Sequence, residues 1–308
     1  MNANRDRVSR FPDGDRQAYR SKLYRETLYQ ALERWIFGTH FLLKADRLPH
    51  VPRFLWSAAR DLMRGGTVVP DPNRVVACPE LMGGVCRKIS ADTILEASRF
   101  GFDPWCHYGP LKWWTRDMRM VLFFNEHHIG KNLRRDMRNK RYSVTFDEAF
   151  EDVVKACASR RSYRRHGLTW ITPRIMKLYT ELHDRGHAHS FEVWSQDGRL
   201  VGGGFGHAFG RIFSTESLFS FESNTSKMGF ATLNYHLNKW GYVVNDAKAY
   251  APNFEAMGFR LITRAEYDAL LSANARIGGR GGPWSVEHDL KAVSAWQSEQ
   301  EKKKSARL

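Results

Sequence analysis

One Gly-rich stretch, "GHAHSFEVWSQDGRLVGGGFGHAFGRIFSTESLFS" at 186–220, carries His187, His189, His207 and Glu216. Imidazole and carboxylate are the groups that bind metal ions and pass protons near neutral pH. Their spacing argues against a metal. His187 and His189 alternate toward one face as a strand begins, and His207 falls on a later strand with no carboxylate or cysteine at a fixed interval. Cys78, Cys86, Cys106 and Cys157 form no CxxC pair, so neither a zinc site nor a disulfide framework is expected. The histidines read as structural residues or as supports for other side chains. The glycines at 202–204 mark a place where a backbone or a substrate comes close.

A second chemistry is electrostatic. In "GKNLRRDMRNKR", Lys131, Arg134, Arg135 and Arg138 fall at i, i+3, i+4 and i+7, which puts four cations on one helix face with only Asp136 between them. That pattern suits phosphate contact. Arg160, Arg161, Arg164 and Arg165 form a second basic cluster just before Trp170. Lysine and arginine outnumber aspartate and glutamate 48 to 33, a net charge of +15, which favours a polyanion such as nucleic acid or an anionic membrane surface. Trp105, Trp113 and Trp114 cluster around Pro and Gly, where they can stack on bases or pack into a core.

These side chains need elements to hold them. The 308-residue chain is long enough for a large core, and the polar residues 1–22 read as a mobile tail without the apolar run of a signal peptide. No segment has the roughly 18 apolar residues of a membrane span, so a cytoplasmic protein is expected. Residues 23–120 read as an N-terminal extension and small helical domain. Within it, 22–63 forms two or three short helices whose interleaved Arg, Lys, Trp and Phe fit either an interfacial membrane helix or a helix packed on the main body. Ser90 or Asp92 caps a helix that ends at Gly101. Residues 121–285 form the main α/β domain, and 286–308 a charged tail. In the main part the pattern predicts a strand at 118–124, a helix at 173–186, strands at 189–195, 199–207 and 210–217, a helix at 224–241, and strands at 242–247 and 258–263. That order is an α/β fold on an antiparallel-rich sheet, the order of a GNAT-type acyltransferase. The loop with which such enzymes cradle a coenzyme pyrophosphate is missing from "ESNTSKMGFATLNYH", which argues against acetyl-CoA as donor.

The run "LTWITPRIMKLYTELHDRGHAHSFEVW", with "LVGGGFG", "ESLFS", "N-x-S-K" at 224–227 and "MGF" at 257–259, resembles the leucyl/phenylalanyl-tRNA-protein transferases. The resemblance runs from about residue 89 to 284. It implies a GNAT-like domain that takes an aminoacyl group from a charged tRNA and places it on the α-amine of a protein, marking that protein for degradation, with no metal or small-molecule cofactor; a monomer is expected. Alternatives keep the donor but change the acceptor to a peptide, small amine or lipid, or keep only the RNA binding.

Carried over position by position, Trp105, in "FDPW" where the family commonly has "FPW", and Trp170 resemble tryptophans that border the aminoacyl-adenosine pocket. Glu216 matches a family glutamate able to hold an ammonium. Asp246 matches the aspartate of the family's "D-x-Q" motif, where this chain has Lys248 in place of glutamine. Lys248 is expected to pair with Asp246 or to polarise the ester carbonyl. Phe213, Ser217, Leu218 and Leu233 are expected to line the pocket. Gly204 and Asn245 stand where the family tends to have methionine and an apolar residue, which predicts a wider, more polar pocket and a changed amino-acid specificity.

Overall fold

The computed structural model describes residues 13–43, 45, 48–66, 68–78, 80–105, 111–139, 141–159 and 169–296. Helices α1 (Asp13–Leu23), α2 (Leu28–Leu42) and α3 (Val51–Met63) lead into strands β1 (Val76–Cys78) and β2 (Glu80–Val85). Helix α4 (Ala91–Arg99) precedes β3 (Asp103–Trp105), β4 (Lys112–Thr115) and β5 (Met118–Phe123). Then come α5 (Lys131–Arg138), β6 (Tyr142–Phe146), α6 (Phe150–Ala158), α7 (Pro173–Asp184), β7 (Ala188–Ser195), β8 (Leu200–Phe209) and β9 (Ile212–Ser220). The chain closes with α8 (Thr225–Lys239), β10 (Val244–Lys248), α9 (Pro252–Glu255), β11 (Arg260–Thr263), α10 (Arg264–Asn274) and α11 (Leu290–Ser294).

Helix boundaries follow local capping chemistry. Ser90 accepts from Thr93 N–H in a reciprocal capping box that starts α4; Thr263 and Glu266 do the same for α10. Thr172 accepts from Ile175 N–H and is followed by Pro173, a residue suited to the first helical position of α7.

The strands make two sheets. A seven-stranded sheet runs β11-β5-β10-β9-β8-β7-β6, and a four-stranded antiparallel sheet runs β1-β2-β4-β3. In the larger sheet every pairing is antiparallel except that of β9 with β10, which are joined through α8. One core cluster, including Ile94, Phe150, Tyr179 and Phe205, lies on the side of α4, α6, α7 and α10. The other, including Phe191, Phe213, Met228 and Leu233, lies on the side of α5, α8 and α11.

Three stretches differ from their sequence-based reading. Residues 23–120 are not purely helical, because the four-stranded sheet lies within them. The stretch read as a mobile tail contains α1, pinned by Arg16 and Arg20 to Glu151 and by Arg20 to Asp184. Part of the charged C-terminal tail is folded: Val293 is buried and Trp296 stacks on His127 at 4.3 Å. Helix α3 packs on the body through Phe54 and Ser57, whereas α2 exposes Leu28, Leu32 and Ile36.

The glycines of β8 are explained by neighbouring protein atoms. A Cβ on Gly202 would collide with Thr225 at the start of α8, one on Gly203 with Phe219 and the Phe191 carbonyl, and one on Gly204 with Leu218 and Phe191. The close approach is made by a helix and two adjacent strands, so Gly204 leaves no extra room, contrary to the wider pocket expected there.

Candidate active site

Two β-bulges set the geometry. Pairing of β8 with β9 shifts between Phe205–Ser217 and Gly206–Thr215, which leaves Glu216 as the extra residue. Pairing of β10 with β5 shifts between Asp246–Val121 and Lys248–Met120, which leaves Ala247 as the extra residue. A bulge re-aims the side chains around it. Parallel pairing of β9 with β10 ends at Ser214–Asp246, so Glu216 and Lys248 face each other where the two strands part.

A buried charge cluster fills that point. The Lys248 ammonium pairs with Glu216 Oε2 and lies 3.4 Å from Asp103 Oδ1. Asp103 also takes Arg119 Nη1 at 3.1 Å and Arg116 Nη1 at 3.2 Å. Arg119 forms a two-pronged pair with Asp246 and stacks over the Tyr267 ring at 4.6 Å. Asp246 further accepts from Tyr267 O–H at 2.8 Å and from Lys248 N–H at 2.8 Å. On the other side of Glu216, His207 Nδ1 lies 3.0 Å from Oε1. His207 Nε2 is left to donate to Ser98 Oγ at 2.8 Å, because the Ser98 hydrogen goes to the Ile94 carbonyl.

The electrostatics follow from that packing. Burial alone would raise the Glu216 carboxyl, but Lys248 and His207 outweigh it and hold the group below the ordinary value. For Asp103 burial is likewise overcome, by Lys248, Arg119 and Arg116, and the carboxyl is held far below the usual range. Arg119 loses solvation, yet Asp246, Tyr267 and Asp103 raise it well above its ordinary value. Burial first, and then neighbouring carboxylates, push the Tyr179 and Tyr267 phenols well up.

Glu216, Asp246 and Lys248 therefore meet, but not in the pairing expected. The Lys248 ammonium goes to Glu216 and Asp103, because the Asp246 oxygens are occupied by Arg119, Tyr267 and the Lys248 backbone. Asp246 is fully buried. Its geometry is that of a group orienting Arg119 and the β10 bulge.

Trp170 packs edge-on against Tyr179 at 6.3 Å, and Tyr179 in turn meets His207 at 6.0 Å. Trp105 ends the strand that carries Asp103 and packs beside Phe54, Met82 and Trp114. Trp113 is fully buried core. Phe213 and Leu233 are buried in the core cluster on the α8 side, Leu218 covers Gly204, and Ser217 pairs with Phe205. Asn245 is also buried, and its amide is satisfied internally: Oδ1 accepts from Thr215 Oγ1 and Nδ2 donates to Asn234 Oδ1, each at 2.7 Å. Asn245 itself therefore presents no free amide, and the unpartnered polar atom of this pair is the buried Nδ2 of Asn234.

On α5, Lys131, Arg135 and Arg138 are exposed. Arg134 is not part of that face. It donates to the carbonyls of Ile129, Ser294 and Trp296 at 2.6–2.9 Å and clamps the chain after α11. The second basic cluster, Arg160 to Arg165, lies outside the described residues. His189 is sandwiched between Asp147, at 2.8 Å, and the face of Trp284, at 3.5 Å. Among the described residues no group of three or more His, Cys, Asp or Glu is arranged to hold a metal ion.

Arg119, Asp103 and Ser98 escaped the sequence reading. Arg119 had a signal, being a lone cation inside the apolar strand "MRMVLFF".

Residues 121–272 match the family model described as leucyl/phenylalanyl-tRNA protein transferase. The leucyl/phenylalanyl-tRNA–protein transferase of Pseudomonas syringae pv. syringae (strain B728a) is 46% identical over 203 residues, covering 66% of this chain and 84% of that protein. The one from Azotobacter vinelandii is 42% identical over 211 residues, covering 68% and 92%. The chain belongs to the leucyl/phenylalanyl-tRNA–protein transferase family.

Among solved structures, FemX aligns with a TM-score of 0.38 at 11% identity, over 48% of this chain and 60% of that one. In this transferase-family member the first turn of α8 is engaged by its own side chains: Ser226 N–H donates to Ser220 Oγ at 3.0 Å, and Thr225 Oγ1 donates to Val201 O. No helix among the described residues is long and apolar enough to cross a membrane.

Proposed function

We propose that the chain transfers an aminoacyl group from the 3′ end of a charged tRNA to the N-terminal α-amine of an acceptor protein, as a monomer in the cytoplasm where charged tRNA is found, and so tags the acceptor for degradation. The observation that carries this reading is the Glu216–Lys248–Asp103 cluster at the parting of β9 and β10. Attack of an amine on the ester carbonyl forms the amide bond and breaks the bond to the ribose oxygen, and the proton lost from the nitrogen ends on that oxygen as the hydroxyl. Glu216 holds the incoming ammonium in exchange for Lys248, and the nitrogen attacks as the neutral amine once it has given one proton to solvent. The freed Lys248 ammonium then polarises the ester carbonyl and stabilises charge developing on its oxygen. Asp246 positions both through Arg119 and the bulge. Trp105 and Trp170 border the terminal adenosine, while Lys131, Arg135 and Arg138 hold phosphates without reading sequence.

The test is incubation with tRNA charged with each labelled amino acid in turn, and with acceptors that begin with Lys or Arg. Label on the acceptor α-amine is expected; its absence with every donor would sink the proposal. Activity appearing only after Lys248→Gln would make the natural chain a non-catalytic tRNA binder.

A further inference from the structure

The N-terminal helices carry apolar surface that the other described residues leave uncovered. On α2, Leu28, Leu32 and Ile36, followed by Leu43 just past its end, recur at the spacing of one helix face, and all four are more than half exposed, Leu28 at 91%. On α3, Phe54 and Ser57 face the body, while Leu55, Trp56, Leu62 and Met63 lie on the arc turned away, with Trp56 68% and Met63 75% exposed. Arg53 and Arg60 border that arc, and Asp61 is turned inward to accept from Val85 N–H. Between residues 25 and 64 the sequence has seven Arg or Lys (25, 34, 44, 47, 53, 60 and 64) against four Asp or Glu (26, 33, 46 and 61).

We propose that α2 and α3 form a peripheral docking surface for an anionic lipid membrane. Charge complementarity selects this occupant. Helices with large aliphatic and tryptophan side chains on one face and arginines beside it lie in the headgroup region, where the apolar face meets acyl chains and the guanidiniums meet phosphates. A second copy of the chain would bring the same positive charge to the contact, against a net +15 on each partner. A polynucleotide would leave the aliphatic faces in water, and exposed cations suited to it lie on α5 instead. No described helix spans a membrane, so the contact is interfacial.

The test is co-sedimentation of the full chain with phosphatidylcholine vesicles, with and without phosphatidylglycerol. Expected is binding at least about tenfold tighter to the anionic vesicles, weakened by added salt. The pair Leu32→Glu and Ile36→Glu, and separately Leu55→Glu and Trp56→Glu, should abolish it; both change exposed positions, and circular dichroism checks the fold. Arg53→Gln with Arg60→Gln should lower the preference for anionic vesicles while leaving the apolar faces intact. Equal binding to both vesicles, no binding, or unchanged binding by the glutamate variants would overturn the proposal. So would a concentration-dependent dimer in light scattering that the same glutamate variants dissolve.

Discussion

Lys248 Nζ lies 3.4 Å from Asp103 Oδ1, and each residue stands where the chain departs from its family's pattern: lysine for glutamine in "D-x-Q", and "FDPW" for "FPW". An added buried cation thus has an added buried anion beside it. Glu216, which also holds the lysine, completes a set in which no charge is left without an opposite neighbour.

That pairing predicts strong coupling. Lys248→Gln alone leaves Asp103 and Glu216 short of one counter-charge, and Asp103→Asn alone leaves Lys248 with Glu216 only. The double variant should be less destabilised than the sum of the singles by about 1–3 kcal/mol. Urea unfolding of the four proteins measures this, and strict additivity would remove the idea that the two departures compensate.

The Arg119–Asp246 pair is fully buried, so breaking it should be costly. Arg119→Met is expected to lose about 3–5 kcal/mol, because it strands the Asp246 carboxylate. Tyr267→Phe removes one neutral donor and should lose roughly 1 kcal/mol. Equilibrium denaturation separates the two effects, and a near-neutral Arg119→Met would show that this pair does not hold β10 in place.

Glu192 supplies a pH signature opposite to that of Asp103 and Glu216. It is buried with Ser190, Thr145 and the Glu148 amide as its hydrogen-bond partners among the described residues, and burial pushes its carboxyl from 4.5 up to about 8. The folded protein keeps a proton that the unfolded chain releases, so this residue makes stability fall as pH rises from its unfolded to its folded value. Glu192→Gln should flatten that slope and gain on the order of 5 kcal/mol well above pH 8. Asp103 and Glu216, with depressed values, act the other way: their contribution is complete above the unfolded carboxyl range and is lost as pH falls through their folded values. Urea midpoints across pH for the wild type and Glu192→Gln check both signs.

Two positions should divide binding from packing. Arg134→Ala removes a clamp on three carbonyls and should lower stability by about 1–3 kcal/mol, with a smaller effect on tRNA affinity. Arg135→Ala should do the reverse, weakening tRNA and reducing the salt slope by about one. Gly204→Met should cost roughly 1–3 kcal/mol by overpacking against Leu218 and Phe191, and Leu218→Ala should relieve it. Thermal melts and salt-dependent tRNA binding tell these apart.

The strand at 118–124, helix α5 and the alternation from α7 to β11 were legible in the sequence because apolar period and capping residues act locally, as where Ser90 and Thr172 start helices with their own side chains, whereas β6, α6 and α10 escaped it. The family was legible as well, carried by the run from Trp170 to Trp194. The partners of the charged residues were not. Arg134 looked like one of four equivalent cations until the end of the chain folded back onto it, and Gly204 looked like added space until two bulky neighbours filled it. Which carboxylate receives Lys248 depends on a bulge in the β8–β9 hairpin and on β5 lying beside β10, the latter a contact between residues more than a hundred positions apart. Residue types and spacing determined what chemistry this protein could hold. Only the sheet, by setting which charges lose water together, decided how those charges are paired.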